Sequence, residues 1–334
     1  MVYVWQNEKL KDFDVAISTR VRIARNLEDE KFPNMLSDEE EKKILNKIGA
    51  SVDKKKYDYF YTKDIDDSNL YSLVEKHIVS KEFANKENTA ILQNKIGNVV
   101  CMINEEDHFR AQAFSSGFDI MTCYKNLKEF ESDMNVNLKF AKSKKYGYLT
   151  ACPTNIGTGI RVSVLLHLVG LGNLGLLDSI LNQIRDIGLS VRGLYGENTS
   201  GYGNMYQISN QKTLGVSDED IINKVSMVVS SIIEQERRAR NILKSKGIDF
   251  EDKVYRSYGI LKNARKISEE EAFRLLSYLR AGASMQIIDN IRLEKIQEIF
   301  DNMQENSLKL IYKEDISEKD DAKKRAEYIR EELN

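Results

Sequence analysis

From Asp14 to Leu27 the apolar residues fall on alternate positions, with Val15, Ile17, Val21 and Ile23 separated by polar or basic residues. A period of two is that of a half-buried strand, and it puts Arg20 and Arg22 on one face and Val21 and Ile23 on the other. Ser37-x-x-Glu40 ahead of KKILNKI is a capping box and predicts a helix starting at Ser37. ILQNKIGNVVCMINEED reads as a hairpin turning near Asn94–Gly97. ESDMNVNLKFAKSKKYGYLTACPT reads as a helix end followed by a strand. RVSVLLHL fits a helix as easily as a strand, and LSVRGLYGENTSGYGNMYQISNQ reads as strand, glycine-rich loop, strand.

The pattern changes near Gly215. Ser217-x-x-Asp220 opens a long helical run through Ile221, Ile222, Val225, Val228, Val229, Ile232 and Ile233. Ser268 and Glu271 open another, and the last segment, EKDDAKKRAEYIREELN, is helical and highly charged. The chain is therefore expected to be of the α+β class: an antiparallel sheet flanked by helices over residues 1–230, then an all-helical part over 231–334. No internal repeat or low-complexity linker separates them, so the two are expected to pack together.

The chain has 334 residues, 41% hydrophobic and 31% charged, enough for a real core. Its formal net charge is -2, so bulk attraction to nucleic acid or to an anionic membrane is not its theme. Three cysteines, Cys101, Cys123 and Cys152, form neither a disulfide framework nor a CxxC zinc pair. With no basic-then-apolar leader and no long uninterrupted apolar run, a cytoplasmic location is expected.

No GxxxxGK[ST] loop is present. GLGNLG supplies Gly170, Gly172 and Gly175 of a dinucleotide fingerprint, but no acidic residue sits at the distance that fingerprint needs. The arginines are more informative. Two guanidinium groups on one strand face repel unless an anion bridges them, and their planar forks suit phosphate oxygens. Arg110, Arg161 and Arg192 each adjoin a strand-like stretch. Glu105, Glu106 and Asp107 follow the apolar run VVCMI and put carboxylates at a strand end, able to hold a cation or to lie solvated in a turn. Glu197 lies in a glycine-rich loop able to approach a ligand. Cys152 precedes Pro153, one of only two prolines; near several arginines its thiol would ionise readily, while a small buried hydrophobe is the plainer alternative. His77 is a candidate to stack on a base or donate to a phosphate, or a surface histidine.

Together STRVR, NEEDHFR, CPTNIGTGIR and RGLYGE, in this order and spacing, resemble the ATP:guanido phosphotransferases, the creatine and arginine kinase family. The likeness covers roughly residues 14–312. Within the family it is strongest to the bacterial protein arginine kinases, through LVEKHIVS, GNMYQISNQ-x-TLG, EDKVYRSYGIL and the helical part after the kinase core. Only 17 residues precede Ser18, where small-guanidine kinases carry a helical domain.

The resemblance implies that ATP phosphates meet Ser18, Thr19, Arg20, Val21 and Arg22. His77, Arg110, Arg161, Val162, Ser163, Val164 and Leu165, with Arg192, Gly193, Leu194, Tyr195, Gly196 and Glu197, would complete the nucleotide site. Glu106 and Glu197 would grip the acceptor guanidinium, one of them as base, with Cys152 beside the reacting nitrogen. ATP and Mg²⁺, the latter held mainly through the phosphates, are the implied cofactors, with no dedicated protein metal site.

The implied function is phosphorylation of arginine side chains in proteins, marking them for Clp-type proteolysis in stress regulation. The implied partners are protein substrates with exposed arginine, a McsA-type activator, a ClpC-type chaperone, a CtsR-type repressor as substrate, and a second copy in a homodimer. The alternatives are a kinase of free arginine or another small guanidine, and a catalytically silent adaptor. One departure stands out. The family's C-terminal RDxxRA motif, which binds phosphoarginine, is reduced here to Arg325 and Ala326 within Asp321–Ala326, and loss of that regulatory pocket is expected.

Overall fold

The computed structural model describes residues 11–193 and 202–334. Its first part comprises β1 (Ala16–Arg25), α1 (Asp38–Ser51), β2 (Tyr57–Tyr61), α2 (Asp67–Glu75), α3 (Lys81–Ala84), β3 (Ala90–Asn94), β4 (Val99–Ile103), β5 (Phe109–Ser116) and α4 (Ile120–Asn135). A small hairpin follows, β6 (Lys142–Ser143) and β7 (Gly147–Tyr148), then β8 (Ile160–His167), α5 (Val169–Asn173), α6 (Leu177–Asp186), β9 (Leu189–Gly193) and β10 (Met205–Asn210). The rest is helical: α7 (Asp218–Ser245), α8 (Ile248–Asn263), α9 (Glu269–Ser284), α10 (Leu293–Asn302), α11 (Glu305–Tyr312) and α12 (Glu318–Leu333).

Eight strands form one antiparallel sheet in the order β2-β3-β4-β5-β1-β8-β10-β9. β1 lies inside it, and Val21 sits opposite Ala113 on one side and Val162 on the other. On one face Val21, Ile23, Val162 and Val164 pack with Ile44 of α1, Leu127 and Phe130 of α4, Ile184 of α6 and Val225 of α7 in a single core. Each such side chain contributes about 1.5–3 kcal/mol by leaving water. The opposite face is covered at one side by α2 and the segment to Phe83, and at the other by the helical part, which packs on Ile17 and Met205.

The capping boxes at Ser37 and Ser217 form as the sequence predicts, with both reciprocal hydrogen bonds. The β3–β4 hairpin turns where expected, with Gly97 at φ 83. RVSVLLHL resolves to strand β8, because β1 and β10 flank it and pair with it on both sides. The stretch after α4 makes only the two-residue strands β6 and β7, outside the main sheet.

α7 runs unbroken for 28 residues through the 230/231 division expected from the sequence. Its residues up to Ala239 belong to the first core, and Leu243 belongs to the second. Charged side chains join the parts there. Glu236 accepts from the Gly170 and Leu171 backbone amides (2.8 and 2.9 Å) and from Arg240 Nε (2.7 Å). Arg240 in turn donates to the carbonyls of Asp14 and His167 and to Ser284. The glycine motif GLGNLG therefore does follow a strand, but its helix-start amides are satisfied by Glu236 rather than open to a phosphate.

Candidate active site

Strand alternation decides which side chains share the cavity face. Ser18, Arg20 and Arg22 of β1 line a cavity of about 260 Å³, together with Arg110 and Gln112 of β5, Ser163 and Leu165 of β8 and Gln207 of β10. Pairing puts Arg22 directly opposite Arg161, and Arg110 opposite Ala24, so these three guanidinium groups gather towards the Arg25 end of β1. Arg20 lies two residues back, opposite Ser163.

Their hydrogen bonding leaves this cluster short of negative charge. Arg20 Nη1 donates to the His77 carbonyl (3.1 Å), and Arg161 Nη2 to Ser209 Oγ (2.9 Å). Arg22 Nε is buried with no partner among the described residues. Burial, then the charges of Arg110 and Arg161, pushes Arg20 down to about 10. Burial and the neighbouring arginines likewise hold Arg22 well below its ordinary value. Glu105, on Arg110, offsets only part of this positive charge; phosphate oxygens would meet Arg22 Nε and relieve the mutual repulsion. His77 lines the same cavity in a left-handed turn (φ 55). Crowding by protein in the cleft, then Arg20, lowers its ring's pKa although the ring still touches solvent, so at neutral pH it is an uncharged imidazole.

The three acids before β5 separate into three environments, because Asn104 adopts φ 61 and turns the chain. Glu105 pairs with Arg110 (2.5 Å) and accepts from Ser80 (2.8 Å). Burial raises its carboxyl, but the Arg110 hydrogen bond and charge prevail and hold it below the ordinary value. Asp107 is buried, accepting from Asn26 Nδ2 (2.6 Å) and the Ala151 amide (2.7 Å), which ties the end of β1 to the segment before Cys152. Glu106 alone is exposed. Partial burial, then Asp107 and Glu105, raise its pKa, while a hydrogen bond with Cys152 works the other way. The Cys152 sulfur also lies 3.0 Å from Thr154 Oγ1, at the start of a short turn over Pro153–Asn155. Glu106 and Cys152 thus meet beyond the Arg22–Arg110 end of the cradle.

Four other expected site residues face away from the cavity. Thr19, Val21, Val162 and Val164 are fully buried on the opposite face. Thr19 Oγ1 donates to the Gly117 carbonyl (2.7 Å) and accepts from the Asp119 amide (3.1 Å), so its side chain is committed to the core. Arg192 and Gly193 lie on the edge strand β9, with Arg192 opposite Gln207. Leu194, Tyr195, Gly196 and Glu197 lie outside the described residues. Sequence reasoning missed the contribution of the helical part: Phe273, Gln297, Phe300, Asp301 and Gln304 complete the cavity wall. Their helical spacing marks a buried face but not what it faces. Among the described residues no group of three or more His, Cys, Asp or Glu is placed to hold a metal ion.

A basic cradle on one face of an antiparallel sheet, with a carboxylate and a thiol at its end, is the layout that the resemblance to guanidine phosphotransferases implies. Residues 39–239 match the family model for the ATP:guanido phosphotransferase C-terminal catalytic domain, and the chain belongs to that family. Residues 247–334 match the model for the protein-arginine kinase McsB C-terminal domain. A protein-arginine kinase of Clostridium acetobutylicum is 40% identical over 98% of this chain and 99% of its own. One of Bacillus pumilus is 38% identical over 88% of this chain and 83% of its own. Among solved structures, the duplicated taurocyamine kinase of Schistosoma mansoni with transition state analog components superposes on 71% of this chain with a TM-score of 0.61 and 29% identity. This chain spans about a third, 34%, of that duplicated protein's length.

Proposed function

We propose that this chain is a protein arginine kinase, transferring the terminal phosphoryl group of ATP to arginine side chains of protein substrates. The carrying observation is the cluster of Arg20, Arg22, Arg110 and Arg161 on one sheet face, whose charge Glu105 offsets only in part, with exposed Glu106 and half-buried Cys152 at its end. Phosphoryl transfer is mainly positioning and charge neutralisation, which fixed guanidinium groups supply without a phosphate loop. Mg²⁺, entering on the nucleotide's phosphates, would further neutralise their oxygens.

The acceptor is the harder partner. A guanidinium with a pKa of ~13.8 is protonated and poorly nucleophilic. Glu106 would orient it and, with its raised pKa, take the proton as the N–P bond forms and ADP leaves. Glu197 is proposed as the second carboxylate, on resemblance alone. Activator, chaperone and repressor partners and homodimer formation are likewise proposed on family likeness.

The test offers ATP and Mg²⁺ with casein, with free arginine, or with neither. Acid-labile phosphate on casein is expected, with little on free arginine. The opposite preference would make the protein a small-guanidine kinase, and no ATP consumption in any arm would make it a silent adaptor.

A further inference from the structure

The phosphate cradle occupies only one end of the cavity. Glu106 and Cys152 lie beyond the Arg22 end of β1, so the acceptor enters there and the nucleoside must extend the other way, towards Ser18 and Ile17. The four residue steps from Arg22 to Ser18 cover about 13 Å of strand, which carries a nucleotide past its phosphates. At that far end the wall changes character. Ile17, Leu165 and Met205 come from the sheet, and Phe273 of α9 and Phe300 of α10 close over them. The two rings stack with centroids 5.5 Å apart and planes 30° from parallel.

One polar group stands out in that wall. Gln297, on α10 one turn before Phe300, is 7% exposed and lines the cavity. Its Nε2 donates to Asp301 Oδ1 (2.9 Å), which fixes the amide's orientation. Its Oε1 is buried with no hydrogen-bond partner. A buried acceptor left unmade is costly, and here it belongs to a residue that lines the same cavity as Phe273 and Phe300. The helical wall is held firmly in place. The Glu75 carboxylate accepts from the Asn306 and Ser307 amides at the start of α11 (2.7 and 2.9 Å), and Arg280 of α9 donates to the Phe13 carbonyl (2.5 Å).

Building on the kinase reading above, we propose that the helical part completes the nucleotide site: Phe273 and Phe300 wall the base, and Gln297 Oε1 accepts from the exocyclic amino group of adenine. Adenine presents an amino donor at that ring position, whereas guanine presents an oxygen acceptor that would oppose Oε1. Gln297 is thus a specificity-determining residue, and a nucleotide would bridge the two parts of the chain.

The test is calorimetric titration of the full chain with Mg²⁺ complexes of ATP, GTP, purine riboside triphosphate (adenine without its amino group) and inorganic tripolyphosphate. ATP is expected to bind about tenfold tighter than GTP and purine riboside triphosphate. Gln297→Met is expected to erase that preference while leaving tripolyphosphate affinity unchanged. Equal affinity of the unsubstituted chain for ATP and purine riboside triphosphate would overturn the base site even if the variant did not fold. So would retention of the preference by Gln297→Met. Failure of the unsubstituted chain to bind tripolyphosphate or ATP at all would instead overturn the phosphate cradle, and the base site with it.

Discussion

Arg25 closes β1 with its side chain only 2% exposed. Its Nε lies 2.5 Å from Glu131, its Nη1 donates to the carbonyls of Ala24 and Thr158, and its plane sits 3.4 Å over the Tyr148 ring. Removing one partner would strand the other charge in the core, so Glu131→Gln is expected to lower the unfolding free energy by about 3 kcal/mol in urea titrations. Burial raises the Glu131 carboxyl, but Arg25 and Lys128 outweigh it and hold it below its ordinary 4.5. A depressed folded value means this contribution is fully present above about pH 4.5 and lost as pH falls through the folded value. The wild-type stability should therefore fall more steeply with acid than that of Glu131→Gln; parallel curves would contradict this. At this scale the sequence was legible where geometry is periodic: alternation alone put Arg20 and Arg22 on one face. It could not separate Glu105, Glu106 and Asp107, because their roles depend on Arg110, Asn26 and Ala151 reaching them across the fold.

Helix and strand identity followed local signals at the capping boxes and in β1, and failed where tertiary pairing decides. RVSVLLHL became a strand because two neighbours hydrogen-bond to it, an override of local ambiguity. Between α8 and α9 a single glycine sets the packing distance. A Cβ on Gly282 would lie 2.3 Å from Val254 Cγ1, and Val254 is fully buried. Alanine is favoured over glycine in a helix by about 1 kcal/mol, yet here the clash should win, since overpacking costs about 1–3 kcal/mol. Gly282→Ala is expected to lower the melting temperature, and a rise would show that the two helices can separate without loss.

Across the whole molecule, the division into a sheet part and a helical part was legible from the change in apolar period. Their shared cavity was not, since no local pattern says that Phe273 and Phe300 face Leu165. Among the described residues no helix is long and apolar enough to cross a membrane. In the reduced RDxxRA segment Arg325 donates to the carbonyls of Met303 (3.0 Å) and Ile267 (3.3 Å) and to Asp321 (2.6 Å). Its donors serve the helical core.

The most direct test of the central claim is mass spectrometry of a mixed protein substrate after incubation with ATP, Mg²⁺ and either the unsubstituted chain or Glu106→Gln, with ATP binding measured in parallel. Phosphate on arginine nitrogens is expected with the unsubstituted chain. With Glu106→Gln it should fall by at least about a hundredfold while ATP binding stays nearly intact. Phosphate confined to hydroxyl side chains, or undiminished arginine phosphorylation by Glu106→Gln, would contradict the account.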